Sequence, residues 1–224
     1  MQSHFEKEIS DLKDRLLTMA SHAETSVRRA VEALMTRDER LVNQVRENED
    51  IIDRFEVEID EVAVHLLAKA PLATDLRLIM VAMKISQNLE RVGDEASKIA
   101  KRTRELIQDA PLKQVAQIPR LADMALAMLK TALDSFVNHD PATARALIPR
   151  DKEVDALNKE IYRELAGQMM ERPETISRAL NLIVVAKSLE RIGDHAKNVA
   201  EEIVYLCEAQ DIRHTAATKS ASAD

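Results

Sequence analysis

The segment Leu89-Glu-Arg-Val-Gly-Asp-Glu-Ala returns one hundred residues later as Leu189-Glu-Arg-Ile-Gly-Asp-His-Ala. Each copy sits in a stretch whose apolar residues recur at every third and fourth position. In the first these are Ile85, Leu89, Val92, Ala96 and Ile99; in the second, Val185, Leu189, Ile192, Ala196, Val199, Ile203 and Leu206. Leu41, Val45, Ile52, Phe55, Ile59, Val62 and Leu66 follow the same rule. That spacing puts one apolar stripe on a helix and is the pattern of antiparallel bundles. Upstream of the shared segment the repeat continues at an offset of 102, pairing Asp38 with Asp140, Asp53 with Asp155, Ile59 with Ile161 and Pro71 with Pro173. A period near 100 is too long for a solenoid unit. It predicts an all-α protein of two tandem, pseudo-symmetric three-helix bundles, residues 1–110 and 111–208, forming an elongated six-helix molecule.

Proline placement sets the expected boundaries. The six prolines fall between or near the ends of helical patterns at 3–36, 38–69, 73–109, 119–138, 141–171 and 174–208. Asp140-Pro141 reads as an N-cap followed by proline at the first helical position, and Pro149 should kink the fifth helix near its start. Residues 209–224 are small, polar and aperiodic, which predicts a frayed, disordered tail.

Composition excludes several alternatives. The 224-residue chain has three glycines, against an average usage near 7%, and its aromatic content is 2%. A sandwich or barrel needs glycine-rich turns and aromatic or β-branched strands. No glycine-rich loop exists to hold a nucleotide. The net charge of −7 argues against nucleic acid or anionic membrane as a partner. A single cysteine, Cys207, fits a reducing compartment. No apolar signal region is seen, and no apolar run approaches the ~20 residues that span a bilayer, so a cytoplasmic location is expected.

The repeat also places acidic residues in pairs. Glu90/Asp94 and Glu190/Asp194 lie four apart on the third and sixth helices; Glu49/Asp53 and Asp151/Asp155 do so on the helices that precede them. Residues at i and i+4 share a helix face. With 39 acidic residues in 224, about seven such pairs arise by chance, so one pair alone means a solvated face. The heptad register adds information. With Leu89 and Leu189 as a positions, all four pairs fall off the core and lean to one side. The two pairs of each repeat would converge across one helix–helix groove if those helices are neighbours. Gly93 and Gly193 sit beside them, either keeping that groove open or allowing close helix packing. Gly167 has no such setting. A carboxylate-only set suits hard cations, with Glu49, Asp53, Glu90 and Asp94 in one half and Asp151, Asp155, Glu190 and Asp194 in the other. His195 is expected to point away into solvent, His65 and His139 to mark helix ends, and Arg91 and Arg191 to be exposed for partner contact.

These residues carry a resemblance. Pro71-Leu-Ala-Thr-Asp-Leu-Arg-Leu-Ile with Leu89-Glu-Arg-Val-Gly-Asp resembles the first-half signature of the PhoU phosphate-uptake regulators. Leu189-Glu-Arg-Ile-Gly-Asp-His-Ala-Lys-Asn-Val-Ala-Glu-Glu is similar to the second-half signature, and His4-Phe5 with Leu12 and Leu16 to the family's opening. The likeness runs from about residue 3 to 208. Pro149 and Asn158 depart from the family pattern, and neither touches the motifs.

The resemblance implies a cytoplasmic, often homodimeric regulator that works with the ATPase subunit of the phosphate ABC transporter and with a sensor histidine kinase. Such proteins keep the phosphate-starvation response off when phosphate is plentiful. It further implies that the four acidic pairs bind metal ions; Mg, Mn, Fe, Zn and Ca all remain open. Contact with the membrane would come only through partners. Two other readings stand beside it. A purely structural bundle would use the repeated segment as a packing device. A di-metal carboxylate enzyme would need Glu-x-x-His motifs in the bundle core, and neither repeated segment contains one.

Overall fold

The computed structural model describes residues 4–70, 72–112 and 116–213. Pro71 and residues 214–224 of the expected tail lie outside these. Among the described residues the chain forms seven α-helices: α1 (His4–Thr36), α2 (Glu39–Leu67), α3 (Ala73–Ile107), α4 (Ile118–Asn138), α5 (Pro141–Leu147), α6 (Asp151–Glu171) and α7 (Ile176–Glu208). The single kinked helix expected over 141–171 is instead two helices joined by a 3-10 turn at Ile148–Arg150. Pro149 lacks an N–H, and its ring collides with the carbonyl four residues back, so the α ladder cannot pass through it.

Caps form where the sequence placed them. The Asp140 carboxylate accepts from the backbone N–H groups of Ala142 and Thr143 at 3.0 Å, ahead of Pro141. At the same repeat position, Asp38 caps α2 through the N–H of Arg40. Arg37 takes a positive φ of 58° between α1 and α2, and its guanidinium donates to the carbonyls of Ile107 and Asp109. The turn between the first two helices is thereby tied to the far end of α3.

α1, α2 and α3 pack into one bundle; α4, α5, α6 and α7 form the second. The a/d stripes named above supply much of the cores, with Ile52, Ile59, Ile85, Leu89, Val92 and Ile99 fully buried in the first and Val185, Leu189, Ile192 and Val199 in the second, where Val154 and Ile161 of α6 join them. α3 and α7 then pack on each other and join the halves. Their contacts run antiparallel: Lys84 meets Glu202, Asn88 meets His195, and Glu95 meets Arg191. Each of these long helices extends ~50 Å at 1.5 Å per residue, which makes the molecule elongated. No helix among the described residues is long and apolar enough to cross a membrane. Past α7 the chain stays attached as far as it is described, since Ile212 packs on the core and Arg213 donates to the buried Glu202 at 3.0 Å.

Candidate functional site

The acidic pairs meet because two glycines let helices come close. A Cβ on Gly93 would stand 3.0 Å from Ile52 Cδ1, and one on Gly193 would stand 3.2 Å from Val154 Cγ1. Both glycines are buried, so they are close-packing points and hold no groove open. Ile52 and Val154 immediately precede Asp53 and lie next to Asp155 in α2 and α6. Bringing α3 onto Ile52 therefore carries Glu90 and Asp94 toward Asp53. Bringing α7 onto Val154 carries Glu190 and Asp194 toward Asp151 and Asp155.

The electrostatics register this convergence. In the first half, burial and then the Asp94 charge hold Glu90 up at about 6, with Arg91 opposing. Burial, Asp94 and Asp50 push Asp53 up. Glu56, which the repeat does not single out, belongs to the same field: burial, Asp60, Asp53 and Asp94 all raise it, with Arg91 opposing. Glu49 lies in the adjoining groove with Asp94. In the second half, burial raises Glu190 against the pull of Lys187, and Asp194 and Asp155 add to the rise. Burial, Asp151 and Asp155 raise Asp194.

The two faces are not equally wet. Asp53 is exposed and Glu49, Glu90 and Asp94 are half-buried, whereas Asp151 and Glu190 are buried at 7% exposure. The off-core placement expected for all four pairs therefore fails for those two. Asp151 opens α6 after the Pro149 break and meets Lys197 of α7, and Glu190 of α7 meets Asp155 of α6, so both sit where α6 and α7 face each other. One oxygen of Asp151 accepts from Lys197 at 2.9 Å, and its other oxygen is buried without a hydrogen-bond partner.

Basic side chains share both faces. Arg91 lies 3.2 Å from Glu90 and 3.1 Å from Asp94; Lys187 pairs with Glu190 and Lys197 with Asp151. Among the described residues, no three His, Cys, Asp or Glu side chains stand close enough to enclose an ion. The donor chemistry nonetheless suits a hard cation. It is all oxygen and crowded with like charge, burial and neighbouring carboxylates raise Asp53, Glu90, Glu190 and Asp194, and Asp151 supplies an orphaned buried acceptor.

His195 does not point into solvent. It lies in the seam between the bundles, where Nδ1 donates to Asn88 Oδ1 at 3.0 Å. Burial lowers its pKa; Glu95 opposes this, while Arg91, Lys98 and Arg191 reinforce it. Arg191 likewise is not a free surface cation, because it bridges to Glu95 across the seam at 3.3 Å. Burial would raise Glu95, but hydrogen bonds from Lys98 and Ser188 and the charges of Lys98 and Arg191 outweigh it, and its pKa falls. Glu95 was missed in the sequence. Its signal was the mismatch Glu95/His195 at equivalent repeat positions, the one place where the shared segment changes chemistry.

These features define a class: two-repeat helical bundle proteins bearing one carboxylate face per repeat. The chain matches the PhoU domain twice, over residues 16–103 and 118–203. It belongs to the PhoU family. The phosphate-specific transport system accessory protein PhoU homolog of Pseudomonas aeruginosa is 41% identical over 221 residues, covering 98% of this chain and 91% of that protein. The phosphate-specific transport system accessory protein PhoU of Escherichia coli is 34% identical over 215 residues, covering 96% and 89%. Among solved structures, PhoU from Pseudomonas aeruginosa superposes with a TM-score of 0.89 over 92% of this chain and 100% of its own. The phosphate transport system regulatory protein PhoU from Streptococcus pneumoniae gives 0.85 at 25% identity, covering 93% and 99%.

Proposed function

We propose that this protein is an accessory regulator of phosphate transport. It acts as an adaptor between the ATPase subunit of a phosphate ABC transporter and a sensor histidine kinase in the cytoplasm, and it represses the starvation response when phosphate is plentiful. The observation that carries the reading is the likeness, over nearly the whole chain, to proteins named as phosphate-specific transport accessory proteins. The adaptor works without a reaction of its own, as a homodimer in the cell. In support, four of the eight carboxylates, Glu90, Asp94, Asp151 and Glu190, are already held by Arg91, Lys197 and Lys187. Glu49, Asp53, Glu90 and Asp94, and in the other half Asp151, Asp155, Glu190 and Asp194, would hold hard metal ions that stiffen α3 and α7 or mediate partner contact.

One experiment addresses both levels. A deletion strain is complemented with the wild-type gene or with Asp94→Asn/Asp194→Asn, and alkaline phosphatase is measured in high phosphate. The deletion should lose repression, and wild type should restore it. Elemental analysis of the two purified proteins should show metal in the wild type and its loss in the variant. Full repression in the deletion strain sinks the regulatory reading. Equal metal content in the two proteins sinks the site assignment alone.

A further inference from the structure

A groove of about 420 Å³ opens between α2 and α3, beside the first carboxylate face. Its walls carry Arg46 from α2 and Lys98, Lys101 and Arg104 from α3, against two carboxylates, Glu49 and Asp94. In a chain of net charge −7 this is a local reversal of sign. Asp94 is already paired with Arg91. Lys98 is held by Glu95, and Arg104 donates one guanidinium nitrogen to Asn43. Arg46 and Lys101 have no ion-pair partner among the described residues, so their charge is open to the groove.

The groove also holds donors without acceptors. The Ser97 hydroxyl is buried and makes no hydrogen bond; Arg104 Nε, 3.6 Å from Glu39, makes none either. A buried donor left unmade is costly. Free donors beside uncompensated cations are the complement of an anion rich in acceptor oxygens, and charge-assisted bonds of this kind are the strong ones.

The second half is an internal comparison. The repeat positions equivalent to Arg46, Lys98, Lys101 and Arg104 are Ile148, Asn198, Glu201 and Val204. The matching groove there carries Arg145, Lys152 and Lys197 against Asp151 and Glu201, and Glu208 and Asp151 hold Arg145 and Lys197, which leaves Lys152 alone without an ion-pair partner among the described residues. A larger cavity of about 730 Å³ near the end of α6 sets three arginines against three glutamates, and Arg178 there is engaged by the carbonyls of Ala110 and Glu174. The α2/α3 groove has a surplus of two positive charges, the matching groove of one and the larger cavity of none.

We propose that the α2/α3 groove binds a small anion bearing two or more phosphate groups. Its volume lies within the range of small-molecule sites, larger than one phosphate needs. Its cations run along α3 at three-residue intervals, which suits an extended polyanion. The groove stands independently of the adaptor role.

The test is calorimetric titration of the full-length protein, free of divalent cations and at physiological salt, with tripolyphosphate, ATP and inorganic phosphate. Tripolyphosphate or ATP should bind more tightly than inorganic phosphate. Arg46→Ala/Lys101→Ala should weaken binding roughly tenfold or more, while Lys152→Ala, in the matching groove of the second half, should leave it unchanged. Both altered side chains are exposed, so the fold is not at stake. Equal losses in the two variants, no loss in the first, no binding at all, or inorganic phosphate binding as tightly as tripolyphosphate would each overturn the proposal.

Discussion

Glu90 shows how a single side chain reports the crowding at the carboxylate face. Burial and Asp94 hold it near 6, above its ordinary 4.5. Below pH 4.5 the group is protonated in both folded and unfolded chains and costs nothing. As pH rises through the window from 4.5 to about 6, the unfolded chain ionises first and the folded state loses relative stability; above that the penalty is constant. In metal-free protein, Glu90→Gln should therefore stabilise above about pH 6 and be neutral below about 4.5. Water reaches the site, so the gain should be no more than about 1 kcal/mol. Urea unfolding of both proteins at the two ends of the window measures it, and a pH-independent difference contradicts the electrostatic cause. A cation seated among these oxygens would reverse the sign, because it favours the ionised form.

Helices of this length are set by pattern; which faces they bury against one another is not. The stripes, the Asp140 cap and the pairing of acidic residues were legible because each is periodic or local. The register even placed the two pairs of each half on converging sides. It could not give burial. That Asp151 points inward depends on how Pro149 divides α5 from α6, and that depends on tertiary packing. It also could not give partners such as Lys197 for Asp151, which come from another helix. The glycines were visible in sequence, but whether they held space open or closed it was a question of contact distance. That distance now yields opposite expectations for two helices. Gly193→Val should destabilise by about 1–3 kcal/mol, since the β-branched Val154 in α6 has little freedom to move aside. Gly167→Ala, with nothing near the added methyl, should stabilise α6 by up to about 1 kcal/mol. Thermal unfolding midpoints moving the same way for both would refute this.

At the scale of the whole molecule, the seam between α3 and α7 is polar where the bundle cores are apolar. His195, Asn88, Glu95, Ser188 and Arg191 meet there, flanked by Lys98 and Arg91. A histidine whose pKa is lowered on folding contributes stability above its unfolded value of 6.5, and that contribution is lost as pH falls. Acidification from about pH 7 to 5 should then destabilise wild type more than His195→Gln, whose amide can still donate to Asn88. Parallel denaturation curves for the two proteins would show that the histidine does not titrate against the seam. This seam was invisible in the sequence, because nothing local says which face of α3 meets α7.

The antiparallel joining of two like halves has one more consequence. Two identical bundles associating through that surface would be bound to carry every feature twice. Here a peptide linker makes them neighbours permanently, and each half is free to diverge while the other keeps the shared framework. The larger surplus of positive charge beside α3 and the smaller one beside α7 are that freedom in use: a division of labour that a symmetric pair of separate chains is denied.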